Sequence, residues 1–147
     1  YSIAKAQDLI GLGVSSISSF DRVYAQNTTE LEAYYAALDE NHLAITKGVV
    51  LRDEDVLRRE IIQSILCQRR LDIATLEKKY AIVFIDHFAQ VLPSLQDMQA
   101  DNLLLLSGNE LLVTRKGCAF MRNICMLFDE YVAGHLQSQT VRYSRTL

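Results

Sequence analysis

The sequence predicts a mainly α fold with a small β component: a winged-helix-like C-terminal domain over residues 52–147, preceded by a strand-and-helix segment over residues 1–51. Three observations predict it. Apolar residues recur at helical spacing from Leu57 to Leu95. Ser107-Gly108-Asn109 is turn chemistry between two apolar runs. With 50% hydrophobic residues, one proline and six glycines in 147 residues, the chain has material for a core and little for linkers.

The first element is the run Leu9-Ile10-Gly11-Leu12-Gly13-Val14, which predicts a buried strand of parallel type whose glycines admit close backbone approach. Thr29-Glu30-Leu31-Glu32 has capping-box spacing ahead of a helix carrying Leu31, Tyr34, Tyr35 and Leu38, with Asn41 as its stop. Residues 43–51 read as extended. Asp53-Glu54-Asp55 opens a second helix, because acids in a first turn complement its dipole, and Leu57, Ile61 and Ile65 form its inward ladder. A third helix starts from an Asp72 cap and carries Ile73, Leu76 and Tyr80 inward. Another runs from Phe84 through Leu95, with an interruption at Pro93. Leu103 to Thr114 is a hairpin. The last helix begins near Lys116, carries Phe120, Ile124, Leu127, Phe128 and Tyr131 on one stripe, and ends at Gly134. Three helices, a hairpin and a further helix follow winged-helix order.

Charge and cysteines narrow the function classes. The formal net charge is −3, with no basic footprint for general nucleic-acid binding. From Tyr80 to Thr114, the span of the recognition helix and wing, there is no lysine or arginine, while Asp86, Asp97, Asp101 and Glu110 are present. Such a surface repels phosphates, so no nucleic-acid partner is expected. No apolar run is long enough to cross a membrane as a helix, and no membrane partner is expected. Cys67, Cys118 and Cys125 form an odd set with no compact zinc or iron–sulfur spacing. They read as free thiols in a reducing, cytoplasmic setting. His42, His87 and His135 stand apart and offer no metal spacing, so no metal ligand is expected. The start at Tyr1 without an initiator methionine, together with a strand lacking an earlier partner, reads as truncation. An unpaired strand edge of that kind predicts partial dimerisation.

Several of these segments carry a resemblance. Asp8-Leu9-Ile10-Gly11-Leu12-Gly13-Val14-Ser15-Ser16-Ile17-Ser18 is similar to the late barrel strand of the oxygen-independent coproporphyrinogen III oxidases, a radical S-adenosylmethionine family. Tyr24-Ala25-Gln26-Asn27, the Tyr34-Tyr35 helix, Arg58-Arg59 with Ile61-Ile62, Arg122-Asn123-Ile124-Cys125-Met126 with Phe128-Asp129 and Tyr131, and the ending Tyr143-Ser144-Arg145 follow in the family's order. Two positions depart from it. Cys118 stands where the family commonly has arginine, and Asn102 where it commonly has glycine. The family's CxxxCxxC motif is not in this sequence.

The resemblance implies a C-terminal fragment of an enzyme that oxidatively decarboxylates coproporphyrinogen III to protoporphyrinogen IX. S-adenosylmethionine and a [4Fe-4S] cluster would be held by the complete parent, no cofactor by the fragment, and the fragment alone would be inactive, with no catalytic residue of its own. Residues 1–51 would then be the terminal remnant of the radical barrel. It further implies that Ile17 lies against S-adenosylmethionine, where the residue type alone reads equally as core. Gly11 and Gly13 would let that strand approach the ligand, or serve sheet packing. The tetracarboxylate substrate calls for cations, and Arg122, Arg142 and Arg145 are the candidates, with surface or helix-end arginines as the other reading. A winged-helix protein-interaction module, or a related radical enzyme handling haem or another tetrapyrrole, is the alternative.

Overall fold

The structure, a computed structural model, describes residues 8–132. They form two compact units, divided between Val56 and Leu57.

The first unit is a three-stranded antiparallel sheet in the order β1-β2-β3, with β1 at Ile17–Phe20, β2 at Val23–Asn27 and β3 at Ile45–Val50. Helix α1, Leu31–Asp39, connects β2 to β3. The predicted buried strand at residues 9–14 is not there. Leu9 makes one antiparallel bridge to Ser19, and Leu9, Ile10 and Leu12 are exposed. The chain turns back at Gly13, whose φ of +95° only glycine adopts at low cost, so the strand begins three residues beyond the apolar run and pairs antiparallel. Thr29 does not cap α1 either. The hydroxyl of Thr28, one residue earlier, accepts from the Glu30 N–H, and the residue preceding α1 is Glu30. The predicted stop at Asn41 is there: Asn41 has a φ of +56°, its N–H donates to Leu38 O and that of His42 to Ala37 O, the paired bonds of a Schellman motif.

Helix α2, Asp53–Gln68, contains the boundary in its first turn. Asp55 accepts from the Arg52 backbone N–H at 2.9 Å and from its guanidinium at 3.1 Å on each oxygen, fastening the helix start. The second unit continues with β4 at Arg70–Asp72, α3 at Ile73–Tyr80, α4 at Phe84–His87, α5 at Leu92–Ala100, β5 at Leu104–Leu106, β6 at Glu110–Val113, a 3₁₀ turn at Gly117–Phe120 and α6 at Met121–Met126. Its sheet has the order β4-β6-β5, all antiparallel. The hairpin is as predicted; β4 was not expected, since three residues between two helices give no visible alternation. The Asp72 carboxylate accepts from the Thr75 N–H at 2.9 Å as the predicted cap, and that bond holds its pKa below the ordinary value. Pro93 sits in the first turn of α5, where its missing N–H costs nothing, and α4 ends before it.

The predicted last helix is interrupted. After Met126 the chain loosens, and the Asp129 carboxylate accepts from the N–H groups of Tyr131 and Val132 at 3.0 and 3.3 Å, starting a new helical turn at Glu130. Of the predicted stripe, Ile124 and Phe128 are fully buried, Leu127 is half-buried, and Phe120 and Tyr131 are exposed. Gly134 lies outside the described residues.

The core of this unit joins all of its strands and α-helices. Leu57, Ile61 and Ile65 of α2 pack with Leu71, Ile73, Leu76, Leu95, Leu104, Leu111 and Ile124 around Phe84, Phe88 and Phe128. The three rings meet at centroid distances of 5.0, 5.5 and 6.3 Å. The guanidinium of Arg58 lies 5.3 Å from the centre of the Phe88 ring and donates to the Phe128 carbonyl at 3.2 Å.

Two backbone positions make this packing testable. A Cβ on Gly117 would stand 1.9 Å from the Leu103 carbonyl oxygen, whereas one on Gly108 would meet nothing. Urea unfolding should show Gly117→Ala losing at least about 3 kcal/mol and Gly108→Ala changing by less than about 1 kcal/mol. Ala81, just after α3, has a φ of +52°, a left-handed conformation that burdens any Cβ. Ala81→Gly should therefore raise stability by about 1 kcal/mol in the same measurement.

Candidate functional site

The polar network around the Gly11–Ile17 turn is the part of the first unit with built geometry. Where β2 meets β3 the register shifts: Gln26 pairs with Lys47 and Asn27 with Ile45, so the extra residue, Thr46, lies on β3. The Asn27 amide nitrogen lies 2.9 Å from Gly13 O, 3.1 Å from Ser16 Oγ and 3.3 Å from Gly11 O. The Ser16 hydroxyl donates to Gly13 O at 2.7 Å, so it is free to accept from Asn27. The backbone follows the same path: Asn27 N donates to Ser16 O and Ser15 N to Thr28 O. Two further hydroxyls take the turn's own donors. Ser18 Oγ, buried, accepts from Gly11 N at 3.1 Å, and the Tyr34 hydroxyl, reaching in from α1, accepts from Gly13 N at 3.0 Å.

The three residues assigned to cofactor contact all lie here. Gly11 is required by the chain itself, since a Cβ there would come within 2.9 Å of the Ile17 backbone. Gly13 is required by its positive φ. Ile17 is on the edge strand β1 with 52% of its surface exposed, so the turn presents it outward rather than burying it as core. Leu12 and Ile10 are exposed beside it in sequence. An exposed apolar side chain such as Ile17 is the residue type that the adenosyl face of S-adenosylmethionine would take. From Gly11 to Ile17 the chain has no charged residue, so the charged methionyl end of that molecule needs partners elsewhere.

Arg122 is exposed on α6, and Arg142 and Arg145 lie outside the described residues. Among the described residues no group of histidine, cysteine or carboxylate side chains could hold a metal ion. Cys67 and Cys118 are half-buried. Cys125 is buried, and burial pushes its thiol up to about 11. His42 and His87 are exposed; His135 lies outside the described residues. No helix among the described residues is long and apolar enough to cross a membrane.

In the second unit the Tyr80 hydroxyl donates to Glu60 at 2.5 Å and Lys79 pairs with the same carboxylate. Burial first, and then the bond to Glu60, raises the Tyr80 pKa, while the bond to Glu60 raises that of Lys79. Both therefore keep their protons near neutral pH, and the cluster ties α3 to α2 rather than moving protons. Asp86, Asp97 and Asp101 are exposed, and Glu110 pairs with Arg70 at 3.0 Å. The residue whose importance the sequence did not reveal is Asn27. It stood within a recognised motif, but only its contacts in the fold show where its amide goes.

Comparison with known proteins defines the class first. Residues 51–120 match the HemN C-terminal domain family, and the corresponding region of the solved HemN structure superposes on 89% of this chain with a TM-score of 0.83 and 40% identity. That structure is coproporphyrinogen III oxidase from Escherichia coli, described as a radical SAM enzyme, and the chain covers 30% of it. The curated relatives are oxygen-independent coproporphyrinogen III oxidases. The protein of Escherichia coli K12 is 39% identical over all 147 residues, and that of Synechocystis is 39% identical over 143. The chain spans about a third of their length, 32% and 31% respectively. Asn102 has a physical reading of its own. Asn102 follows α5 with a φ of +58°, and its N–H and that of Leu103 close onto Gln99 O and Met98 O. Asparagine is the other residue that tolerates this cap.

Cys125, buried with Ile124 within Arg122–Met126, gives a pH test of this packing. Its folded pKa of about 11 lies above the ordinary 9.0, so the stability it contributes is complete below pH 9 and is lost as pH rises toward 11. Urea unfolding at pH 8, 9, 10 and 11 should show a decline in that window of about 1 kcal/mol per unit from this thiol. Cys125→Ala, although less stable at pH 8, should lack that part of the slope.

Proposed function

We propose that this chain acts as the C-terminal part of an oxygen-independent coproporphyrinogen III oxidase, converting coproporphyrinogen III to protoporphyrinogen IX. The observation that carries the reading is a likeness running through all 147 residues at 39% identity, with a solved relative superposing on 89% of the chain. Bound S-adenosylmethionine and a [4Fe-4S] cluster supply the radical chemistry that oxidises the substrate propionates. The cluster falls to cysteines outside this sequence, since its own three do not come together.

This chain's part is to shape and shield. Ile17 contributes an apolar contact to S-adenosylmethionine, and Gly11 and Gly13 allow the turn that exposes it. Arg122, Arg142 and Arg145 are assigned to the carboxylates of the substrate by charge complementarity. Residues 1–51 are read as the end of the radical barrel, continuing it as an antiparallel extension. The exposed Leu9, Ile10, Leu12, Val23, Leu43 and Val50 are the side chains that the rest of the barrel would cover. Residues 52–147 are read as a winged-helix-like cap; the succession α2, β4, α3, α4–α5, β5, β6 supports that name. The exposed acids of its third helical segment suit packing on protein and oppose a nucleic acid.

The test is a graft. These 147 residues replace the aligned segment of the Escherichia coli enzyme, and the chimera is reconstituted anaerobically and supplied with coproporphyrinogen III. Protoporphyrinogen formation is the expected result. A folded chimera that carries its cluster and binds S-adenosylmethionine yet leaves the substrate untouched would refute the proposal.

A further inference from the structure

We infer that Asn27 is a positioning residue for cofactor binding: its amide, with the Tyr34 hydroxyl, locks the Gly11–Ser16 turn in the one conformation that presents Ile17 to S-adenosylmethionine. The inference rests on the reading of Ile17 given above. It begins from an imbalance in the first unit. α1 buries no residue, and β3 is exposed along its length, so apolar packing does little to fix the turn. Hydrogen bonds must fix it instead.

The amide of Asn27 serves this purpose because all its neighbours are acceptors. Gly11 O, Gly13 O and Ser16 Oγ converge on one NH₂ group, and Ser16 has already committed its hydrogen to Gly13 O. Only a donor satisfies that position. Asp, with the same shape, would set a carboxylate against three oxygens. Tyr34 works from the other side, its hydroxyl accepting from the N–H of Gly13, the residue at which the chain reverses. Both contacts end on the turn's backbone and leave the Ile17 side chain exposed. Neither residue need touch the ligand. Each acts by reducing the number of turn conformations, which lowers the ordering cost of binding.

The variants are Asn27→Asp, Asn27→Ala, Tyr34→Phe and, as the control for the underlying reading, Ile17→Ala. Two quantities are read. Amide hydrogen exchange at Gly13 reports the turn in the chain itself, without any cofactor. S-adenosylmethionine affinity is measured by equilibrium titration of the complete reconstituted enzyme. Asn27→Asp and Asn27→Ala should each speed Gly13 exchange and weaken affinity about tenfold, with the isosteric Asp no milder than Ala. Tyr34→Phe should do the same to a smaller degree and decides the matter if the Asn27 variants fail to fold. Ile17→Ala should weaken affinity while leaving exchange unchanged. Unaltered affinity in Ile17→Ala would remove the reading beneath the inference. Weakened affinity in Ile17→Ala beside wild-type affinity in Asn27→Asp and Tyr34→Phe would overturn the inference alone. An Asp variant that behaves as wild type would show that shape, and not the donor, is what matters.

Discussion

The Phe84–Phe88–Phe128 cluster is the interaction on which the second unit depends. Its rings come from α4, the residue after α4 and the break after α6, segments too short to be stable by local propensity. Each becomes ordered by placing one aromatic ring against the other two and against the Leu57, Ile61 and Ile65 ladder of α2. Arg58 closes the arrangement, its guanidinium lying at Phe88 and donating to Phe128 O. α2 therefore serves as the spine, and the short helices are held by tertiary packing. Helix ends are fixed by other means. Asp55, Asp72 and Asp129 take N-terminal N–H groups, while Asn41, Ala81 and Asn102 make the left-handed residues at C-termini.

The first unit is held differently. Its buried residues are small or polar: Ser18, Ala25, Thr28, Ala44 and Asp55. Apolar side chains such as Leu12, Leu43 and Val50 remain exposed. A sheet with that inventory gains little from burial, and its conformation rests on directional contacts that converge at the Gly11–Ser16 turn. Directional contacts specify geometry more sharply than apolar ones and tolerate isosteric error less. A surface that must meet a ligand in one pose is served better by such a network than by a greasy core.

These two modes explain how far the sequence could be read. The α2 ladder, the Asp72 cap, the Asn41 stop, the Pro93 break and the hairpin at Ser107–Asn109 were all legible. At each of them local chemistry and the buried core favour the same outcome. The apolar run at residues 9–14 misled because hydrophobicity registers a tendency to be covered, not by what, and the positive φ at Gly13 decides the path. The last helix misled because its stripe is periodic through Asp129, while that carboxylate caps a new turn instead. β4 was invisible because three residues carry no period; its existence follows from Leu71 being needed in the core opposite Leu111.

The same distinction separates the candidate site residues. Gly11, Gly13 and Ile17 could be named from the sequence because glycines and an apolar residue at that spacing matched a known pattern. Asn27 could not be ranked above Gln26, its neighbour in the same strand and a side chain with the same donor and acceptor groups. Gln26 reaches only Ser15 O, at 3.2 Å on an exposed surface. Asn27 reaches three acceptors of the turn, Gly11 O, Gly13 O and Ser16 Oγ. Those acceptors stand on the segment leading into β1, brought to Asn27 by the antiparallel pairing of β1 with β2. The residue that orders the turn thus owes its role to pairing that no local reading of Tyr24–Asn27 contains.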